Sequence, residues 1–267
     1  MNREMGRQEA ARAESRRKTT RRTVRIVIAV VVLFGFIFGV SQLVGSDDEA
    51  TVPPLDTSSA VTVTPEPTTT IAPGDFEYGT GECAPADGSA EPRQSFTEAP
   101  ALCIDPSKTY TATVVTNLGE YTIELDAAKA PGTVNNFVNL ARFKYFDGNT
   151  CHRAIPGFMV QCGDPTASGS GNPGYSFADE LPAAGEYQIG SVAMANSGPD
   201  TNGSQFFVIT GDQGVSLPPS YSLFGKVTAG LDTTVVDMDA AGNPDPGANG
   251  VPPLQDIVIE SITITES

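Results

Sequence analysis

The segment Cys151-His152-Arg153-Ala154-Ile155-Pro156-Gly157-Phe158-Met159-Val160-Gln161-Cys162-Gly163-Asp164-Pro165 places one arginine, two large apolar side chains and an amide around a Pro-Gly turn. A guanidinium stays protonated at working pH, carries five N–H donors and no acceptor, and cannot shuttle protons. Arg153, Phe158, Met159 and Gln161 therefore describe a site that binds and polarises rather than one that hydrolyses. His152 is the only histidine in the chain. With no HExxH, no Cys-x-x-Cys and no G-x-S-x-G, zinc ligation and a serine triad both lack their parts. Neither a metal nor a cofactor is expected, and His152 is read as hydrogen bonding or lining the site. Gly169–Gly174 matches G-x-G-x-x-G by letter, but Pro173 lies inside it, no strand leads in and no amphipathic helix follows. That loop is read as passing close to a ligand or a neighbouring strand.

Two further segments carry the same mixture of amide and apolar residues: Met194-Ala195-Asn196 and Asn202-Gly203-Ser204-Gln205-Phe206-Phe207. Singly, Phe206 or Phe207 reads as core. Together with the Arg153 segment they fit an apolar pocket that must also grip a peptide backbone. Asn202-Gly203-Ser204 is a glycosylation sequon by letter only.

The elements that must position these residues begin at Lys108. Tyr110–Thr116 and Glu120–Leu125 alternate as a hairpin about Asn117-Leu118-Gly119. A helix from Pro131 through Ala141 follows, with Val134, Phe137, Val138 and Ala141 on one face and Thr133 as candidate cap. Short strands are expected at the Arg153 hairpin, Ser191–Ala195, Gln205–Thr210 and Ser222–Val227, then a helix over Ala229–Met238 and a closing strand at Gln255–Ile264. The pattern predicts a mainly β domain over 108–267, a closed antiparallel barrel or sandwich capped by two helices.

The rest of the chain is built differently. Residues 1–25 carry nine Arg/Lys against three Glu, whereas the remaining seven basic residues face 29 acidic ones. Residues 26–44 contain no charge, a run close to the ~20 residues that span a bilayer. Basic residues before and Asp47, Asp48 and Glu49 after predict a transmembrane helix with a cytoplasmic N-terminus and an extracytoplasmic domain. The competing readings are a cleaved signal, for which the apolar run is long and Gly39-x-Ser41 the best site, and a buried globular helix. Residues 45–75 are a Thr/Pro-rich acidic linker, and 76–107 a loop-like lead-in holding Cys83 and Cys103. Outside residues 1–25 there is no basic patch, which disfavours nucleic acid.

In an oxidising compartment four cysteines allow three pairings. Cys83–Cys103 is the first choice, because it closes a segment with little else to order it. Cys151 and Cys162 lie symmetrically about Pro156-Gly157, yet if Arg153 and Gln161 share a face, the alternation sends the two sulfurs to opposite faces unless a bulge intervenes.

At HRAIPGFMVQCGD, SVAMANSGPDTNGSQFFVIT and YSLFGKV the chain resembles the cyclophilins, the ciclosporin-binding peptidyl-prolyl cis-trans isomerases, over residues 108–264. The resemblance implies an eight-stranded antiparallel barrel capped by two helices, with a substrate groove on its outside. It implies that Arg153 is the catalytic arginine, that Phe158, Met159, Phe207 and Leu217 wall a proline pocket, and that Gln161, Ala195, Asn196 and Gln205 hold the peptide backbone. Phe158, Gln161 and Phe207 are grouped with Arg153 as catalytic. His152 matches the histidine preceding that arginine. Ser216 takes the place of a tryptophan tied to tight ciclosporin binding, and Tyr221 stands where many members have a second pocket histidine; weak ciclosporin binding with retained activity is expected. The expected partners are proline-containing polypeptides, unfolded or exported. A membrane-tethered peptide-binding module or holdase using the same groove is the alternative.

Overall fold

The computed structural model describes residues 76–267; the expected basic tail, membrane span and linker lie outside the described residues. Among the described residues no helix is long and apolar enough to cross a membrane.

Eight antiparallel strands form one curled sheet in the order β3-β4-β6-β5-β7-β2-β1-β8. They are β1 Tyr110–Thr116, β2 Gly119–Leu125, β3 Arg153–Ile155, β4 Met159–Cys162, β5 Ser191–Met194, β6 Phe206–Ile209, β7 Leu223–Ala229 and β8 Ile259–Glu266. The expected closed barrel is realised without a ladder between β3 and β8. β3 has only three residues, so the two edges meet just before each strand, at the bridge Thr150↔Val258 and the bond from Cys151 N to Ile257 O (2.8 Å).

Period-two alternation divides β4, β6 and β5 into two faces. In register, Val160, Val208 and Val192 form one inward row and Cys162, Phe206 and Met194 the next. Gln161, Phe207 and Ala193 point the other way, beside the outward pair Met159 and Ile209. The inward rows join the main core, where the Phe137 ring lies 5.1, 5.4 and 5.2 Å from Phe146, Phe206 and Phe224.

Phe137 belongs to α1, Pro131–Arg142, whose expected apolar face is buried as predicted. The opposite face is buried too. Its Asn135, Asn136 and Asn139 are completed by other segments: Asn135 Oδ1 accepts from Cys103 N (2.7 Å), Asn139 Oδ1 from Ala84 N (2.8 Å), and Asn136 Nδ2 donates to Gly203 O (2.9 Å). The lead-in thus straps the helix. Thr133 does not cap α1. Ala130 is the N-cap residue, and the buried Glu180 carboxylate takes the first-turn donors of Gly132 N (3.0 Å) and Thr133 N and Oγ1 (both 2.7 Å). The second expected helix begins later than predicted, since β7 runs through Ala229; it is a π-helical turn Leu231–Val235 continued by an α-helix. We label the one-turn helix Asp212–Val215 α2 and the helix Val236–Ala240 α3.

Both disulfides are formed, Cys83–Cys103 and Cys151–Cys162, with Cα separations of 5.3 and 4.0 Å. The parity objection to the second fails for a local reason. Arg153 does pair with Gln161, but the ladder starts at Arg153, so alternation never reaches Cys151. Cys151 turns inward and both sulfurs lie in the main core.

Candidate functional site

β3 and β4 are joined by Ile155-Pro156-Gly157-Phe158, closed by Phe158 N donating to Ile155 O at 3.0 Å. Proline presets φ at the second turn position and Gly157 takes φ +72° at the third, which a side chain would resist. The turn pairs Arg153 with Gln161 and Ile155 with Met159.

The expected residues converge on a cavity of about 200 Å³ on the outward face of β4, β6 and β5. Phe158, Met159, Phe207 and Leu217 give its apolar surface; Tyr221 packs edge-on against Phe207 at 5.4 Å. Arg153, Gln161, Ala195 and Asn196 complete it. Gln205 lines a more polar cavity of about 290 Å³ that shares Gln161, Ala195 and Asn196. His152 stands apart: it is buried, lines neither cavity, and its ring lies against the backbone at Gly169. Burial holds its pKa below the ordinary imidazole value; nearby Asp164 opposes this and Arg153 adds to it. Ser216, at the end of α2, is exposed, and its hydroxyl donates back to Asp212 O (2.9 Å).

Arg153 is held rather than merely placed. Nε donates to Asn249 O (3.1 Å), Nη2 to Asn249 Oδ1 (2.9 Å), and Nη1 to Gln161 Oε1 (3.3 Å). Three of five N–H groups are engaged, which leaves two for a ligand. The guanidinium carbon lies 6.0 Å from the centre of the Phe158 ring, and partial burial draws its pKa down without uncharging it. Gln161 Nε2 in turn donates to Gln205 Oε1 (2.8 Å), and Gln205 Nε2 to Gly171 O (2.9 Å).

Sequence reasoning missed Asn249, the residue most directly engaged with the arginine. It lies 96 residues downstream in an irregular stretch at φ +52°. The readable signal was the pair Asn249-Gly250, a common left-handed turn sequence. Gly250 is required there, because a Cβ would come within 2.8 Å of Ala154 O on β3. Asp164, which organises the loop leading to Gly171, was also missed. Among the described residues no group of three or more His, Cys, Asp or Glu is arranged to hold a metal ion.

This site can seat a compact apolar ring, hold a neighbouring backbone through amides, and point free N–H donors of a fixed cation at the seated group. A profile of the family described as cyclophilin type peptidyl-prolyl cis-trans isomerase/CLD matches residues 111–264. The chain is 42% identical over 169 residues to peptidyl-prolyl cis-trans isomerase B of Streptomyces anulatus, covering 57% of this chain and 95% of that protein. It is 40% identical over 176 residues to probable peptidyl-prolyl cis-trans isomerase B of Mycobacterium leprae, covering 60% of this chain but only 58% of that relative's length. Among solved structures, a cyclophilin type peptidyl-prolyl cis-trans isomerase of Cryptosporidium parvum superposes with a TM-score of 0.54 at 30% identity, covering 60% of this chain and 99% of its own. The same protein crystallised in the presence of the dipeptide Ala-Pro gives 0.53 at 30% identity, covering 59% of this chain and 99% of that one.

Proposed function

Because the chain belongs to the cyclophilin-type peptidyl-prolyl cis-trans isomerases, we propose that Arg153 accelerates X-Pro rotation in exported polypeptides by stabilising the twisted amide over an apolar proline pocket. Rotation must pass a barrier of ~18–20 kcal/mol, because the amide loses its resonance as it twists. The prolyl nitrogen then regains a lone pair and becomes an acceptor. A charge-assisted bond from Arg153, made only in that state, lowers the barrier selectively. Phe158, Met159, Phe207 and Leu217 seat the ring and exclude water, while Gln161, Ala195, Asn196 and Gln205 hold the flanking backbone. No covalent intermediate arises.

The observation that carries this reading is the restrained guanidinium, with three donors spent on Asn249 and Gln161 and two left at the edge of the apolar cavity. A preorganised cation costs little reorganisation when charge develops beside it. The test is cis-trans isomerisation of a proline tetrapeptide by wild type and Arg153→Ala; loss of catalysis in the variant is expected, and equal rates would defeat the reading.

The compartment is part of the proposal. The uncharged run 26–44, the basic residues before it and two disulfides favour an extracytoplasmic domain tethered to the membrane. Protease treatment of intact cells should remove the domain while a cytoplasmic marker survives; protection of both would overturn the placement.

A further inference from the structure

On one side the arginine site is bounded by a loop wound around a buried carboxylate. Asp164 is fully buried, two residues after the end of β4. Its Oδ1 accepts from Thr166 N and Oγ1 (both 2.7 Å), and its Oδ2 from Ser168 N (3.1 Å), Gly169 N (2.7 Å) and Gly171 N (3.0 Å). The loop 164–171 is therefore wound around one anion, and a Cβ at Gly171 would overlap the carboxylate.

From Gly171 the bonds run back to the site, and their direction is forced. Gly171 O can only accept, so Gln205 must turn its Nε2 toward it (2.9 Å) and its Oε1 toward Gln161. Gln161 must then offer Nε2 to Gln205 (2.8 Å), which leaves its Oε1 for Arg153, a group that can only donate (3.3 Å). An amide that turned over would put N–H against N–H at one end or oxygen against oxygen at the other. The relay keeps one orientation as long as the carbonyl of Gly171 stays where the carboxylate holds it.

We propose that Asp164 is a positioning residue for the arginine site, acting through Gly171, Gln205 and Gln161 to fix the direction of the guanidinium. This rests on the isomerase mechanism proposed above. Substituting Asn keeps the size of the side chain but replaces one acceptor with an N–H₂ that opposes the loop's own N–H donors. The carbonyl of Gly171 is then no longer pinned and both amides gain a second orientation.

The test is a double-mutant cycle in the full chain, with kcat and KM measured separately on a proline tetrapeptide. Asp164→Asn is expected to lower kcat about tenfold while KM moves less than about twofold, because the guanidinium acts in the twisted state. In a Gln205→Leu background, where the relay is already cut, the same substitution is expected to change kcat less than about twofold. An equal loss of kcat in both backgrounds, or none in either, overturns the proposal, since a merely structural role would not depend on Gln205. If Asp164→Asn does not fold, Thr166→Val removes one donor to the carboxylate and is read in the same cycle. Arg153→Ala measured alongside separates the two levels: unchanged rates there defeat the isomerase mechanism, whereas additive losses at Asp164 and Gln205 with a dead Arg153→Ala defeat only the positioning role.

Discussion

Phe206 and Phe207 are neighbours on one strand, and they belong to different parts of the molecule. Phe206 faces inward with Cys162 and Met194, in a core closed by α1 and the strap; Phe207 faces outward with Gln161, in a cluster left open as a cavity. The inward face is completed by apolar side chains. The outward face is completed by amides and a guanidinium that satisfy one another in a directed chain. Stability and specificity are thereby assigned to alternate residues of the same strands, and a rigid inner face gives the outer one a fixed backbone from which to hold its polar groups.

The contrast can be broken at several points. Phe206→Ala should cost about 3–5 kcal/mol in urea unfolding, the usual result of emptying a packed aromatic site, while folded molecules keep their turnover. Arg153→Ala should do the reverse: kcat/KM falls about 100-fold, equivalent to ~2.7 kcal/mol, with the unfolding midpoint little changed. An Arg153 variant that unfolds as readily as the Phe206 one would erase the distinction. Phe207→Ala is expected between them, with kcat/KM down about tenfold and a smaller stability loss than Phe206→Ala, since its ring borders open space. Ciclosporin should inhibit weakly, because Ser216 offers an exposed hydroxyl where tight binders of the family carry a tryptophan; a low-nanomolar inhibition constant would refute this.

The smallest effect concerns pH. Burial pushes the Asp164 carboxyl up, but hydrogen bonds from Thr166, Gly171 and Gly169 outweigh it and hold the pKa at about 2. Because the folded value lies below the unfolded one, this stabilisation is present above about pH 4 and is lost as pH falls from about 4 toward 2. Urea midpoints measured across that window should slope less in Asp164→Asn than in wild type; parallel slopes would remove Asp164 from the account.

Much of this was legible because it is local. β1 and α1 carry complete periodic patterns, and the Arg153 hairpin carries its own turn signal, so their positions emerge from the residues alone. The pocket followed from three segments that each pair amides with apolar side chains. What was not legible depends on partners distant in sequence. Thr133 looked like a cap because nothing nearby announces that Glu180, 47 residues on, would supply the carboxylate. Asn249 reaches Arg153 from 96 residues away, and the backbone donors that meet Asn135 and Asn139 of α1 come from the strap, 32 and 55 residues upstream. The parity argument against Cys151–Cys162 extended a strand rule past the end of the strand.

The strap has a mechanical consequence. Any pull on the chain before Phe76 enters the domain through residues 76–107, where the Cys83–Cys103 link shunts 20 residues of length out of the extensible path. Beyond it the load passes to Asn135 through Cys103 N and Ile104 N, and so into the side of α1. The Arg153 hairpin lies on neither branch of that route, so tension applied there is borne by a covalent loop and a buried helix while the groove is spared the strain.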